Sequence, residues 1–250
     1  MIMARGFDLL LMLTSSQPLQ DIFFCPEESN FYSYCIESLV LNHSNSAKSI
    51  VEFGSGDGSP VINSLLRVRY PGVVHGFEIN SLACEVAKSK IEAYGLTNKY
   101  IIHNSSLFDS TKLPADYLIS NPPYLPAKDN KLYQPLLYGG IDGISLTKEL
   151  LSLNFENVLL MVSSYSNPEG LIDYAITKGY STANFKVSPL EFGYYSSDPK
   201  VQQRIKELQA QSRAFYFKNI YLLAGVLFTK QKETVDLSTE LLQIMTSLSC

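Results

Sequence analysis

Soft metal-ligating side chains are scarce, with four cysteines and three histidines in the chain, and neither type sits at ligand spacing. Cys25, Cys35, Cys84 and Cys250 form no C-x-x-C pair, while His43, His75 and His103 fall on a loop and two strands. A structural zinc or a disulfide frame is therefore not expected, and the thiols read as those of a reducing compartment. Charge is also sparse: 18% of residues are charged and the formal net charge is −4, so no global basic field draws phosphate backbones to the surface. Arg67, Arg69, Lys200, Arg204, Lys206 and Arg213 read as scattered solvated charges rather than as a patch. No apolar run is long enough to span a bilayer. The stretch Leu9-Leu10-Leu11-Met12-Leu13 follows Asp8, lacks a clear cleavage site and is expected to be a buried helix or strand. Repeats, low-complexity tracts and linkers are missing, so residues 1–250 are expected to form a single cytoplasmic domain around one core.

The chain does carry a regular alternation of short β-rich runs and amphipathic segments. Strands are expected at 49–53, 73–78, 100–103, 115–120, 157–163 and 182–187, and helices at 82–94, 144–153, 168–179 and 199–213, with 214–228 as a closing strand or hairpin. Gly95 is a natural helix stop. Such alternation predicts an α/β fold with a mostly parallel sheet, helices on both faces and ligands at the carboxyl ends of the strands.

The first such strand end opens into Gly54-Ser55-Gly56-Asp57-Gly58, followed by the apolar-periodic segment Val61, Ile62, Leu65, Leu66, Val68. Glycines allow a tight turn and let the backbone approach a ligand at a helix start whose amides face outward. The second strand ends in Glu78, where α/β nucleotide folds bond ribose hydroxyls. The G-x-G-x-G spacing, with Glu52 two residues before the first glycine, is not the dinucleotide fingerprint G-x-G-x-x-G.

The fourth strand ends in Asn121-Pro122-Pro123-Tyr124. Each proline fixes its own φ and pushes the residue before it into extended geometry, so this loop is stiff. The Asn121 side-chain carbonyl and the Pro122 backbone carbonyl can then accept hydrogen bonds from one planar NH2, with the Tyr124 ring exposed beside it as a plate.

Together these motifs resemble the class I S-adenosylmethionine-dependent methyltransferases, and within them the HemK-type protein-glutamine methyltransferases and their amino-methylating relatives. Two further segments carry the likeness. Leu136 to Leu146, with Gly139-Gly140-Ile141-Asp142-Gly143, looks like the Gly-Gly-x-Asp-Gly segment of that family, and Cys25-Pro26-Glu27-Glu28-Ser29 resembles its Pro-x-Glu loop. The resemblance covers roughly residues 22 to 165. It implies a Rossmann-like sheet of seven strands with an antiparallel closing strand. It also implies S-adenosyl-L-methionine as cofactor, held by Glu52, Gly54, Ser55, Gly56, Gly58, Glu78, Ile79, Ser106 and Asn121. Asn121, Pro122 and Tyr124 are the implied catalytic residues, and no metal is implied. Ser106 stands where the family commonly has an acid. The helical domain that precedes the fold in bacterial release-factor methyltransferases is not expected, since only about twenty residues precede the Pro-Glu loop.

The activity implied is N-methylation of a planar amino group, foremost a protein glutamine amide. Two alternatives stay open: an adenine or cytosine amino group of RNA or DNA, flipped onto Tyr124, and a non-catalytic cofactor-binding or partner-binding domain. A macromolecular substrate is expected, with protein favoured over nucleic acid, and some relatives also use a small accessory subunit. Met1 to Leu13 and the aromatics Phe215, Tyr216, Phe217 and Tyr221 are candidate surfaces for such a partner, with core packing as their other use. Residues 191–213 read as a substrate-facing insertion. Glu28 is open between cofactor contact and helix capping, and Gly139, Gly140 and Gly143 read mainly as turn-shaping residues.

Overall fold

The structure is a computed structural model that describes residues 22–43, 48–110, 114–231 and 234–248, without the side chain of His43. The expected N-terminal apolar element and Cys250 lie outside these residues.

In chain order the elements are α1 (Pro26–Leu39), β1 (Ser49–Phe53), α2 (Ser59–Arg67), β2 (Val73–Glu78), α3 (Ser81–Ala93), β3 (Tyr100–Asn104), β4 (Tyr117–Ser120), α4 (Ser145–Ser152), β5 (Asn157–Ser163), α5 (Pro168–Thr177), β6 (Ser181–Glu191), α6 (Pro199–Gln209), β7 (Tyr216–Phe217), β8 (Ile220–Thr229) and α7 (Ser238–Met245). The sheet runs β3-β2-β1-β4-β5-β8-β6, with the two-residue β7 paired to β8. Strands β1 to β5 pair in parallel, while β8 pairs antiparallel to β5 and β6. This is the expected seven-strand path, and the closing stretch is a hairpin because β7 folds back onto β8.

Burial explains the parallel half. Every residue of β4 and β5 is buried, as a strand covered on both faces requires. One face packs Tyr32, Ile36, Ile62, Ala87 and Ile205 from α1, α2, α3 and α6. The other packs Leu150, Leu171, Ile172 and Leu241 from α4, α5 and α7. Pro189 is tolerated within β6 because that strand lies at the sheet edge, where a missing N–H breaks no ladder.

Several boundaries move. Helix α6 stops at Gln209 instead of reaching Arg213, and β6 extends to Glu191, past the alternating run that marked it in the sequence. Of the tail aromatics, Phe215 and Tyr221 are buried in the core and Phe217 is exposed. The charges that read as scattered are mostly paired: Arg67 with Glu37, Lys200 with Asp129, Arg204 with Glu207, and Arg213 with Asp142. Among the described residues no helix is long and apolar enough to cross a membrane.

The strand order reverses between β1 and β4. The chain winds outward through β2 and β3 on one side and through β4 and β5 on the other, which leaves a crevice above the carboxyl ends of the central pair. Phe53 and Ser120 are partners in the β1–β4 register. The glycine loop and the Asn-Pro-Pro-Tyr loop therefore start side by side, and the Ser120 hydroxyl donates to the Phe53 carbonyl at 2.9 Å.

Candidate active site

A cavity of about 870 Å³ opens at this crevice. Gly54, Gly56 and Gly58 all adopt left-handed φ values of 54–74°, which side chains other than glycine reach only with strain. A Cβ at Gly54 or Gly56 would meet nothing within 4 Å, whereas one at Gly58 would meet Ala87, Tyr100 and Ile62 at 3.2–3.3 Å. The first two glycines thus present bare backbone to the cavity, and the third lets the loop pack on α3. Asp57 holds the turn from the far side, accepting from Ser59 N at 3.0 Å and from Lys90 Nζ at 2.6 Å.

Glu78 reaches across from the end of β2. Its carboxylate accepts from Gly56 N at 2.9 Å and from Asn80 N at 2.8 Å, so it fixes the glycine loop and faces the cavity at the same time. The next residue, Ile79, is 60% exposed on the cavity wall, and Phe108, which lines the same cavity, is 40% exposed and packs on Phe53 with ring centroids 5.5 Å apart. Exposed apolar side chains lining one cavity suit a flat heterocycle. Phe108 did not stand out in the sequence, where only its Leu-Phe neighbourhood marked the segment.

Three predicted residues sit differently from expectation. Glu52 lines the cavity but is 1% exposed, and both Tyr32 and Tyr100 donate to its carboxyl group. Burial raises its pKa to about 8 against the lowering effect of these hydroxyls. It is a floor beneath the loop more than an open acid. Ser55 turns its side chain inward, leaving a buried hydroxyl without a hydrogen-bond partner, so only its backbone is offered to a ligand. Ser106 caps the turn that carries Phe108, accepting from Phe108 N at 3.2 Å.

The Glu52 shift has a consequence for stability. A carboxyl whose folded pKa lies above its unfolded value binds more protons when folded, so stability is full below the unfolded value of 4.5 and declines as pH rises through about 8. We expect Glu52→Gln, which stays neutral, to flatten the fall in denaturation midpoint between acid and mildly alkaline pH. A parallel decline in both proteins would locate that pH dependence elsewhere.

At the acceptor side, Asn121, Pro122 and Tyr124 all line the cavity. Asn121 Oδ1 is buried and has no hydrogen-bond partner, and no described group donates to the Pro122 carbonyl. Two unused acceptors are unusual so near the core, because a buried polar atom without a partner costs about 1–3 kcal/mol. Tyr124 corrects an expectation: its ring is not an exposed plate but is 7% exposed and packs on Tyr165. Its hydroxyl faces Glu28 without forming a hydrogen bond of ordinary geometry.

The glycine segment 139–143 braces this loop from behind. Gly139 N donates to Leu125 O at 2.9 Å and Ala127 N to Gly140 O at 3.1 Å. A Cβ on Gly139 would lie 2.6 Å from Tyr124 Cα, and one on Gly143 would lie 2.5 Å from Tyr124 O. The turn-shaping reading of these glycines therefore describes their environment.

The cavity wall has one further property. Glu27, Glu28, Glu52, Asp57, Glu78 and Glu191 line it, and among the described residues no lysine, arginine or histidine does. Residues from 191–213 contribute Glu191, Phe192, Tyr194 and Tyr195. Tyr194 stacks on Tyr133 and Tyr195 on Phe23, so the mouth is aromatic.

Strand order, glycine loop and double-proline loop together define the Rossmann-like fold of class I methyltransferases. Residues 35–138 match the family model described as the methyltransferase small domain. It is 27% identical over 124 residues to the ribosomal protein uL3 glutamine methyltransferase of Neisseria gonorrhoeae, covering 46% of this chain and 39% of that protein. It is 30% identical over 107 residues to the release factor glutamine methyltransferase of Chlorobaculum tepidum, covering 40% and 36%. The chain thus spans less than half the length of these relatives. Among solved structures, the methyltransferase domain of METTL16 superposes with a TM-score of 0.54 at 13% identity, over 91% of this chain and 96% of that one. M. jannaschii TYW2, solved in complex with AdoMet, superposes with a TM-score of 0.50 at 15% identity, over 88% and 80%. At such identities the likeness is one of fold.

Proposed function

We propose that this protein is an S-adenosyl-L-methionine-dependent N-methyltransferase whose acceptor is a protein side-chain amide, that of glutamine. The observation that carries this reading is the buried, unpartnered oxygen of Asn121 at the switch point of the sheet. The cofactor fits the residues present. The bare backbone of Gly54 and Gly56 suits its amino-acid end, Glu78 its ribose hydroxyls, and Ile79 and Phe108 its adenine. Glu52, Ser55, Gly58 and Ser106 shape the loops around it. When bound, S-adenosylmethionine supplies a methyl group already activated on a sulfonium.

The chain's own work is then aim and exclusion of water. An amide nitrogen has a delocalised lone pair and is a poor nucleophile. Asn121 Oδ1 and the Pro122 carbonyl accept its two hydrogens, which orients the nitrogen and stabilises positive charge where it develops. The proton can leave after attack, so no strong base is assigned. Tyr124 serves as a wall that keeps this pair dry rather than as a stacking plate.

Protein is favoured over nucleic acid because the wall carries six carboxyl groups, of which burial raises Glu28 and Glu52 above the usual range, and among the described residues no cationic side chain, so a phosphate backbone threaded there would be repelled by the ionised acids. The aromatic mouth from 191–213 supports its reading as the substrate-facing element of a single domain. The reading is cytoplasmic, which the free thiols of Cys25, Cys35 and Cys84 suit, and it includes a small accessory subunit that a pull-down with mass spectrometry would identify.

The test is to incubate the protein with methyl-labelled cofactor and cell extract, then digest with protease or nuclease. Label lost to protease is the expected result, and label lost to nuclease alone would overturn the protein substrate. A second expectation concerns the cofactor. Glu78→Ala removes the acceptor that holds both the loop and the ribose, and should weaken cofactor affinity by about 1.5–3 kcal/mol. An unchanged dissociation constant by calorimetry would take Glu78 out of the site.

A further inference from the structure

Asp198 carries a buried carboxyl group that the mechanism above leaves unused; the residue is 3% exposed. It is the N-cap of α6, and its Oδ1 accepts from Lys200 N at 2.8 Å, the ordinary work of an aspartate at a helix start. Its second oxygen does something that capping does not require. Oδ2 accepts from Tyr133 N at 2.8 Å, across 65 residues of sequence, in the loop that follows Asn121-Pro122-Pro123-Tyr124. Two ion pairs join the same segments, Lys200 with Asp129 at 2.6 Å and Lys128 with Glu207 at 2.9 Å. Both are partly exposed, where such pairs contribute little, so the buried carboxyl is the contact that fixes where Tyr133 stands.

Tyr133 stands at the mouth of the cavity. Its ring, 54% exposed, stacks on that of Tyr194, 66% exposed, with centroids 5.4 Å apart and planes 28° from parallel. Tyr194 meets Tyr195 edge to face at 5.4 Å, and Tyr195 stacks on Phe23 at 5.4 Å. The Tyr195 hydroxyl also accepts from Phe24 N at 3.2 Å. These four rings form a continuous arc, and Phe23, Tyr194 and Tyr195 line the cavity that contains Asn121, as does Gln134 beside Tyr133. Tyrosine offers a large, rigid contact area at small cost in rotamer entropy, and aromatic rings are enriched where one chain binds another. A polypeptide that inserts a side-chain amide as far as Asn121 keeps its backbone at the mouth, against these rings.

We propose, resting on the protein-methylating reading above, that Asp198 is a positioning residue that holds Tyr133 against Tyr194, and that the arc of rings so completed binds the polypeptide flanking the acceptor amide. Asp198 itself is not among the residues that line the cavity. Its two oxygens divide the work: Oδ1 starts the helix and Oδ2 sets the rings. Leu132, buried in the core, keeps the loop seated, so loss of the Oδ2 bond would release the Tyr133 ring without unfolding the loop.

The test uses the full chain and Asp198→Ser. Serine caps helices about as well as aspartate, yet it carries one oxygen in place of two, so it keeps the bond to Lys200 N and gives up the bond to Tyr133 N. Amide hydrogen exchange read by NMR should be about tenfold faster at Tyr133 and unchanged at Lys200, whereas Asp198→Ala should quicken both. Initial rates of methyl transfer from labelled cofactor to cell-extract protein supply the second readout. The extract concentration that gives half the maximal rate should rise about three- to tenfold in Asp198→Ser, with the maximal rate and the cofactor dissociation constant unchanged. Tyr133→Ala should give the same rise, and the double variant no more than Tyr133→Ala alone, because both substitutions act through one ring. Equal exchange at Tyr133 in wild type and Asp198→Ser would overturn the proposal whatever the rates. A fall in maximal rate at unchanged half-saturation would overturn it too, as would rises that multiply in the double variant. Label lost to nuclease alone would sink the functional reading and with it a polypeptide on the rings, while exchange at Tyr133 still decides what Asp198 holds.

Discussion

Asn121→Ala should lower turnover by about 10²–10³ while leaving cofactor affinity close to that of the wild type, the size of effect seen when one preorganised hydrogen-bonding group is removed from a charge-stabilising pair. The structural basis is specific. The side-chain oxygen is buried without a partner, so its removal leaves no internal donor without its acceptor. Only the acceptor amine loses its counterpart. Single-turnover rates at saturating cofactor, read beside a calorimetric titration, separate the effects. Loss of cofactor binding with normal single-turnover chemistry would place Asn121 on the wrong ligand.

Gly143→Ala should be the most damaging single methyl in the region. Gly143 sits at φ +80°, and a Cβ there would lie 2.5 Å from the Tyr124 carbonyl oxygen and 2.7 Å from Ser166 Cβ. The left-handed strain and the overlap together cost about 2–4 kcal/mol. In a chain of this size that corresponds to a fall in melting temperature of about 5–15 °C. The overlap cannot be relieved by rotating a side chain, because the Tyr124 carbonyl is backbone and already accepts from Ser166 Oγ at 2.7 Å. The double-proline loop must shift, so turnover should fall beyond what the residual folded fraction explains. A variant with wild-type melting temperature and activity would show that the brace is slack.

The sequence was most legible where one physical rule decided the outcome. Continuous burial of β5 follows from an unbroken apolar run, and Gly54, Gly56 and Gly58 sit in left-handed φ as a tight loop demands. The double proline announced a stiff turn. Legibility failed where neighbours distant in the chain decide. Tyr124 reads as an exposed aromatic after two prolines, yet Tyr165 covers it from beyond β5. Glu52 reads as an acid that holds the cofactor, yet Tyr32 and Tyr100 close over it from α1 and β3. Phe108 gave no local signal and Tyr221 read only as a partner surface or core residue, because a single aromatic in a loop or strand becomes a cavity wall only through the sheet order that brings it there. The pairings of Arg67, Lys200 and Arg213 were equally silent, since each partner lies on another segment, whereas Arg204 meets Glu207 one turn on along its own helix.

The tie between Ser120 and Phe53 sets a length scale. Neighbouring strands lie about 4.8 Å apart, and here that spacing separates the loop facing the donor from the loop facing the acceptor. Their mutual placement is inherited from the central ladder of the molecule and does not wait for two lobes to close. A ruler of this kind keeps its calibration as long as the sheet survives, so alignment of the reacting groups should persist under heat or mild denaturant until global unfolding, and vanish with it.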